Sequence, residues 1–293
     1  MAISETSEIK SVLSRRREAL VWVLIAAYLA AVIRFAWEPS RLAQILAAIG
    51  FAGAVAHSSL TYGRKNTLAL LIICLTVTFA MENIGAMTGF PFGHYHFEVG
   101  AELPHVGAIT IIVGGVWFGA GYFAWVVAGT LLGGGDRNLN RRFKVITLPI
   151  VAAFVMTQWD FVMDAPESTI SKAWIWHDGG GDFGVPLTNY LGWLLTSWMF
   201  YQVFALYLAR RTDMPPTRRV YELRLAAILF YACSGLTHLT PWFMGQNGEA
   251  VDAAGHVWRI QDLREAAVAG MLFTMFFTSI LAALRLADDD CRT

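Results

Sequence analysis

Two aspartates four residues apart, Asp160 and Asp164, close an otherwise apolar run, and a third acid, Glu82, lies inside another. On a helix that spacing puts both aspartates on one face. A charge at mid-bilayer costs at least about 2.5–3.5 kcal/mol, so acids placed there usually face a cavity or a partner. Two carboxylates this close in a low dielectric do not both ionise readily. One is therefore expected to hold a proton near neutral pH, which makes the pair a candidate general acid, with Glu82 as the alternative. Simpler fates are open: Asp164 could pair with Lys172, Arg259 or Arg264 in an interfacial loop, and Glu82 with Arg34.

Other groups with chemical reach gather near these acids in sequence. His94 and His177 are candidates to relay protons or to hold a water, with His96, His238 and Asn189 beside them. Tyr95, Trp159, Trp174 and Trp193 offer π faces, although each also fits ordinary packing or an interfacial aromatic belt. A buried acid with aromatic faces suits protonation of an apolar alkene to a tertiary cation. Capture of water would complete a hydration, while loss of a proton would give isomerisation or cyclisation, and residue types alone do not choose between them.

Cofactor signals are weak. His94-x-His96 with nearby carboxylates could serve as a ligand set, but the repeated histidine pairs of a membrane di-iron site are missing, and no metal is assigned. None of Lys10, Lys65, Lys144 and Lys172 falls within an apolar run, which leaves no Schiff-base lysine in the membrane. Gly133-Gly134-Gly135 lacks the Lys-Ser/Thr of a phosphate-binding loop. No cofactor is expected.

The elements that must position these residues follow from composition. Of 293 residues 56% are hydrophobic and 15% charged, with Lys+Arg and Asp+Glu equal at 22 each, and the mean hydropathy is +0.49. Soluble domains carry about 25% charged residues, so these figures exclude an ordinary soluble domain, and with it disorder and nucleic-acid binding. Stretches near 19–37, 43–61, 67–86, 106–132, 144–164, 187–209, 222–241 and 264–286 each approach the roughly 20 apolar residues that a span needs. The fold class expected is all-α, a polytopic transmembrane bundle of about eight spans.

Cationic residues orient it, because cytoplasmic loops collect Lys and Arg. Eight alternating spans place 17 of the 22 on one side, leaving Arg34, Arg41, Lys172, Arg259 and Arg264 on the other. Both termini are then cytoplasmic in a plasma-membrane protein, with a tail over 1–18, one helical domain over 19–286 and a second tail over 287–293. The first 18 residues lack an A-x-A-like cleavage site, so the first helix is expected to stay as an anchor. Cys74, Cys233 and Cys291 show no pairing or metal-ligand spacing.

Two segments on the far side read as ordered loops. In 82–97, Gly85, Gly89, Pro91 and Gly93 punctuate turns, while Phe90, Phe92, Tyr95 and Phe97 are too apolar for a free loop. Residues 174–190 have the same character and lead into a helix on which Asn189, Trp193 and Ser197 share one face. Structured re-entrant or capping loops are expected on this non-cytoplasmic side.

The stretch 82–97, the Trp159-Asp160-Phe161-Val162-Met163-Asp164-Ala165-Pro166 segment and 174–193 resemble the carotenoid 1,2-hydratase family, which includes γ-carotene 1'-hydratases and bisanhydrobacterioruberin hydratases. The likeness spans roughly residues 80–205 and is weaker from Thr212 onward. It implies a multi-pass enzyme that adds water to the terminal double bond of an acyclic carotenoid end group, with lycopene, γ-carotene or a bisanhydrobacterioruberin-like substrate, membrane lipid around it, contact with other enzymes of the pathway, and no redox cofactor. Asp160-x-x-x-Asp164 is also similar to an aspartate motif of intramembrane prenyltransferases, where carboxylates hold Mg²⁺ against a diphosphate. The second Asn/Asp-rich motif of those enzymes is missing here. A non-catalytic carotenoid or lipid carrier is the remaining alternative.

Overall fold

The computed structural model describes residues 19–34, 39–140, 143–211 and 220–291, so the expected tail over 1–18 lies outside the described residues. Among these residues eight long helical segments run in chain order: α1 (Ala19–Arg34), α2 (Pro39–Thr61), α3 (Arg64–Thr88), α4 (Ile111–Leu131), α5 (Lys144–Ile170), α6 (Leu187–Ala209), α7 (Val220–Phe243) and α8 (Ile260–Asp289). Seven of them, α2 to α8, are long and apolar enough to cross a membrane, and the chain is a multi-pass membrane protein. Of the first expected span, the described residues form an apolar helix over Ala19–Arg34, shorter than the other seven.

α4 is the hub of the bundle, packing against α2, α3, α5, α7 and the end of α8. Its sequence is apolar on every face, as a helix surrounded by others should be. Small residues let neighbours come close. A Cβ on Gly119 would stand 3.2 Å from the backbone carbon of Gly50, so α2 and α4 meet almost backbone to backbone.

Three helices depart from regular geometry. α5 ends in a wide turn over Pro166–Ile170, closed by Ser171 N–H donating to Pro166 O at 3.1 Å. α7 tightens over Leu236–His238 before its last turn, and α8 widens over Met271–Phe276. Such irregular turns are frequent at functional sites.

Three two-stranded ribbons connect the helices: β1 (Tyr95–Phe97) with β4 (Trp174–Trp176), β2 (His105–Val106) with β3 (Ile109–Thr110), and β5 (Glu249–Val251) with β6 (Val257–Arg259). In the first, Tyr95 faces Trp176, His96 faces Ile175 and Phe97 faces Trp174. Gly85 is helical within α3, where the sequence suggested a turn; its missing side chain makes room for Phe92. Gly89 and Gly93 do take the left-handed conformation, with φ of 79° and 118°. Phe92 and Tyr95 are buried, whereas Phe90 is exposed.

Candidate functional site

A cavity of about 220 Å³ opens within the bundle, walled by α2, α4, α5 and α7 with Glu82 of α3, Asn189 and Trp193 of α6, and the β1–β4 ribbon. From α5 come Trp159, Asp160, Met163, Asp164 and Glu167, successive turns of one helix face. The ribbon supplies Tyr95, Phe97, Trp174 and Trp176. Period-two alternation explains this, because side chains at every second strand position point the same way.

The same alternation throws the histidines outward. His94 Nδ1 donates to Asp178 Oδ2 at 2.8 Å with its side chain 60% exposed. His96 pairs with His177 at 2.7 Å and with Glu98 at 3.0 Å. None of His94, His96 and His177 lines the cavity. His96 of β1, with His94 and His177 flanking the two strands, lies on the outer side of the ribbon, and the aromatics lie on the inner side. His238 of α7 does line it, 2% exposed. Among the described residues no group of three or more His, Cys, Asp or Glu side chains is placed to hold a metal ion.

The three acids are all inside. Asn189 Nδ2 donates to Asp160 Oδ2 at 2.9 Å and also to Asp164 Oδ2. Asp164 Oδ1 accepts from the indoles of Trp174 at 2.8 Å and Trp176 at 3.1 Å. Its partners are thus neutral donors, in place of the cations that an interfacial carboxylate would have found. Glu82 Oε1 accepts from Trp117 Nε1 at 2.7 Å, and Oε2 accepts from the Tyr95 hydroxyl. Burial, with the Glu82 charge beside it, pushes that hydroxyl above the usual phenol range, so it stays a donor. Of the six carboxyl oxygens only Asp160 Oδ1 is buried with no partner. A buried polar atom left unmatched costs free energy that a ligand, a proton or a water could recover.

Aromatic rings complete the walls. Trp117 and Trp193 stack at 3.8 Å between centroids with planes 13° apart, and Trp159 lies 5.9 Å from Trp193. Phe123 and Phe230 stack at 4.4 Å toward the α1 side, where Tyr28 lies 5.3 Å from Phe230. Ser197, expected on the same inward face as Asn189 and Trp193, is buried but off the cavity. Trp117 escaped the sequence reading altogether. Nothing in the uniform apolar run of α4 marks one indole as the partner of an acid on another helix.

What this arrangement can do is limited by its chemistry: a largely apolar, ring-lined chamber with one unmatched carboxyl oxygen can receive an apolar group and exchange a proton with it. A sequence-family model described as carotenoid biosynthesis protein matches residues 42–254, which carry all of the residues above except Tyr28. No curated protein and no solved structure matches the chain.

Proposed function

The chain belongs to the carotenoid biosynthesis protein family, and from that premise we propose that it hydrates the terminal 1,2 double bond of an acyclic carotenoid end group. The observation that carries the reading is Asp160 Oδ1, unmatched and buried on the wall of an aromatic cavity. Asn189 bridges the two aspartates, and Asp164 also takes two indole donors, so the hydrogen-bond arrangement favours Asp164 as the carboxylate and Asp160 as the neutral acid. Glu82, engaged at both oxygens, is the less suited donor. Asp160 would give its proton to the alkene, and the faces of Trp159 and Trp193 would stabilise the tertiary cation, as aromatic rings do other cations.

The cavity is smaller than the roughly 300–1,000 Å³ usual for ligand pockets, which suits one end group with the rest of the polyene outside. Charge supports an orientation. Arg64, Lys65, Lys144, Arg210, Arg211 and Arg285 lie at helix ends on one side, and Lys172 and Arg259 on the other, so by the positive-inside tendency the end of α8 faces the cytoplasm of a plasma-membrane protein, and both termini do once α1 is counted as an eighth crossing.

Expression of the full chain in cells that accumulate lycopene or γ-carotene tests the proposal by pigment mass spectrometry. A product heavier by one water supports hydration. A pigment of unchanged mass and shifted absorption would replace it with isomerisation or cyclisation, and unaltered pigment in both hosts would overturn it.

A further inference from the structure

Among the described residues two that line the cavity each carry a buried polar atom without a partner: Asp160 at Oδ1 and His238 at Nδ1. We infer that His238 is the second catalytic residue, the base that holds the attacking water and takes its proton; the inference rests on the hydration reading above. Acid and base then come from separate helices, α5 and α7.

The local fold presents His238 to the cavity. α7 leaves α-helical geometry after Gly235 and tightens over Leu236–His238, and the buried Pro241 follows in its last turn. Ser234 and Thr237 line the cavity on the same helix. Their hydroxyls donate to Tyr231 O at 2.6 Å and Ser234 O at 2.9 Å, which leaves both oxygens as acceptors. A water there could donate one hydrogen to His238 Nδ1 and the other to a hydroxyl oxygen. That satisfies the orphan nitrogen and turns the water's lone pairs toward the chamber. The water becomes strongly acidic once bonded to a cation, so a neutral imidazole is base enough.

The step balances. The Asp160 O–H bond breaks and its hydrogen forms a C–H bond at the less substituted alkene carbon, the π electrons supplying that bond. The water oxygen bonds to the tertiary cation, and one of its hydrogens passes to His238 Nδ1. The imidazolium returns that proton to the Asp160 carboxylate, so the sum is alkene plus water giving a tertiary alcohol.

Membranes containing the full chain, supplied with lycopene in D₂O, separate the two roles. Protonation of the alkene leaves deuterium in recovered lycopene whenever the cation collapses back by losing H⁺, whether or not water is captured. His238→Ala should cut the hydrate on the order of 100-fold while deuterium in recovered lycopene persists or rises. His238→Gln, which can hold a water but not take its proton, should lose hydrate while accumulating and exchanging deuterium like the wild type. Asp160→Asn should lose both signals. Hydrate at the wild-type level in both His238 variants, or hydrate and deuterium falling together in both, would overturn the role of His238. A wild type that forms neither hydrate nor deuterated lycopene would instead defeat the hydration reading, and this inference with it.

Discussion

One amide, Asn189 Nδ2, donates to both Asp160 and Asp164 and so ties the two carboxylates of α5 to α6. The bridge treats them unequally only because of what lies beyond it: two indoles on Asp164 and nothing on the outer oxygen of Asp160.

That asymmetry ranks the acids. Asp160→Asn should lower hydrate formation by about 10²–10⁴-fold, the usual contribution of a general acid. Glu82→Gln keeps an acceptor for Trp117 and should stay within about tenfold, or 1.4 kcal/mol, of the wild type. Product yield per milligram of membrane protein reads both, and the reverse order would transfer the acid role to Glu82.

Gly115 offers a way to fill the chamber without disturbing the helices. It lines the cavity, and a Cβ there meets nothing within 4 Å. Gly115→Leu should leave the thermal midpoint unchanged or raise it, since glycine in a helix interior costs about 0.5–1 kcal/mol relative to alanine. Activity should nevertheless collapse. A stable variant with full activity would place the substrate elsewhere.

Phe92 is wedged between two glycines: a Cβ on Gly192 would lie 2.5 Å from its ring and one on Gly85 2.7 Å. Gly192→Ala should therefore destabilise by about 1–3 kcal/mol through overpacking, and Phe92→Leu in the same chain should recover part of that loss. Thermal midpoints of the two single variants and the double variant measure the coupling; strict additivity would contradict the wedge.

At the other end of the bundle, Arg224 meets Asp136 at 2.6 Å, with Tyr62 donating to the same carboxylate at 2.7 Å. Burial works to raise Asp136, but the Arg224 guanidinium and these hydrogen bonds outweigh it and hold the carboxyl below its usual range. A folded value below the unfolded one, about 3.9, adds stability that is present above that pH and is lost as pH falls through the folded value. Asp136→Asn should cost about 3–5 kcal/mol near neutral pH by stranding the buried arginine. It should also flatten the acid limb of stability against pH; an unchanged acid limb would count against the pair.

Much of the fold could be read from apolar runs, because helices in a bilayer must be long, greasy and internally bonded. The inward face of α5 was equally legible, since Asp160 and Asp164 follow helical period. Histidine placement was not, for a physical reason. Sorting residues by membrane side says nothing about inside and outside of the bundle, and in β1 that distinction depends on a one-residue alternation between Tyr95 and His96. Trp117 was hidden for another reason: its bond to Glu82 and its stack on Trp193 join three helices, a meeting that no local pattern encodes.

The modest size of the chamber reaches beyond the chemistry of one double bond. On the proposed reading only the tip of a long pigment is ever enclosed, so the protein is blind to what the far terminus carries. A molecule with two identical tips would be treated in two unrelated visits, and the singly altered pigment should build up first and then give way to the doubly altered one.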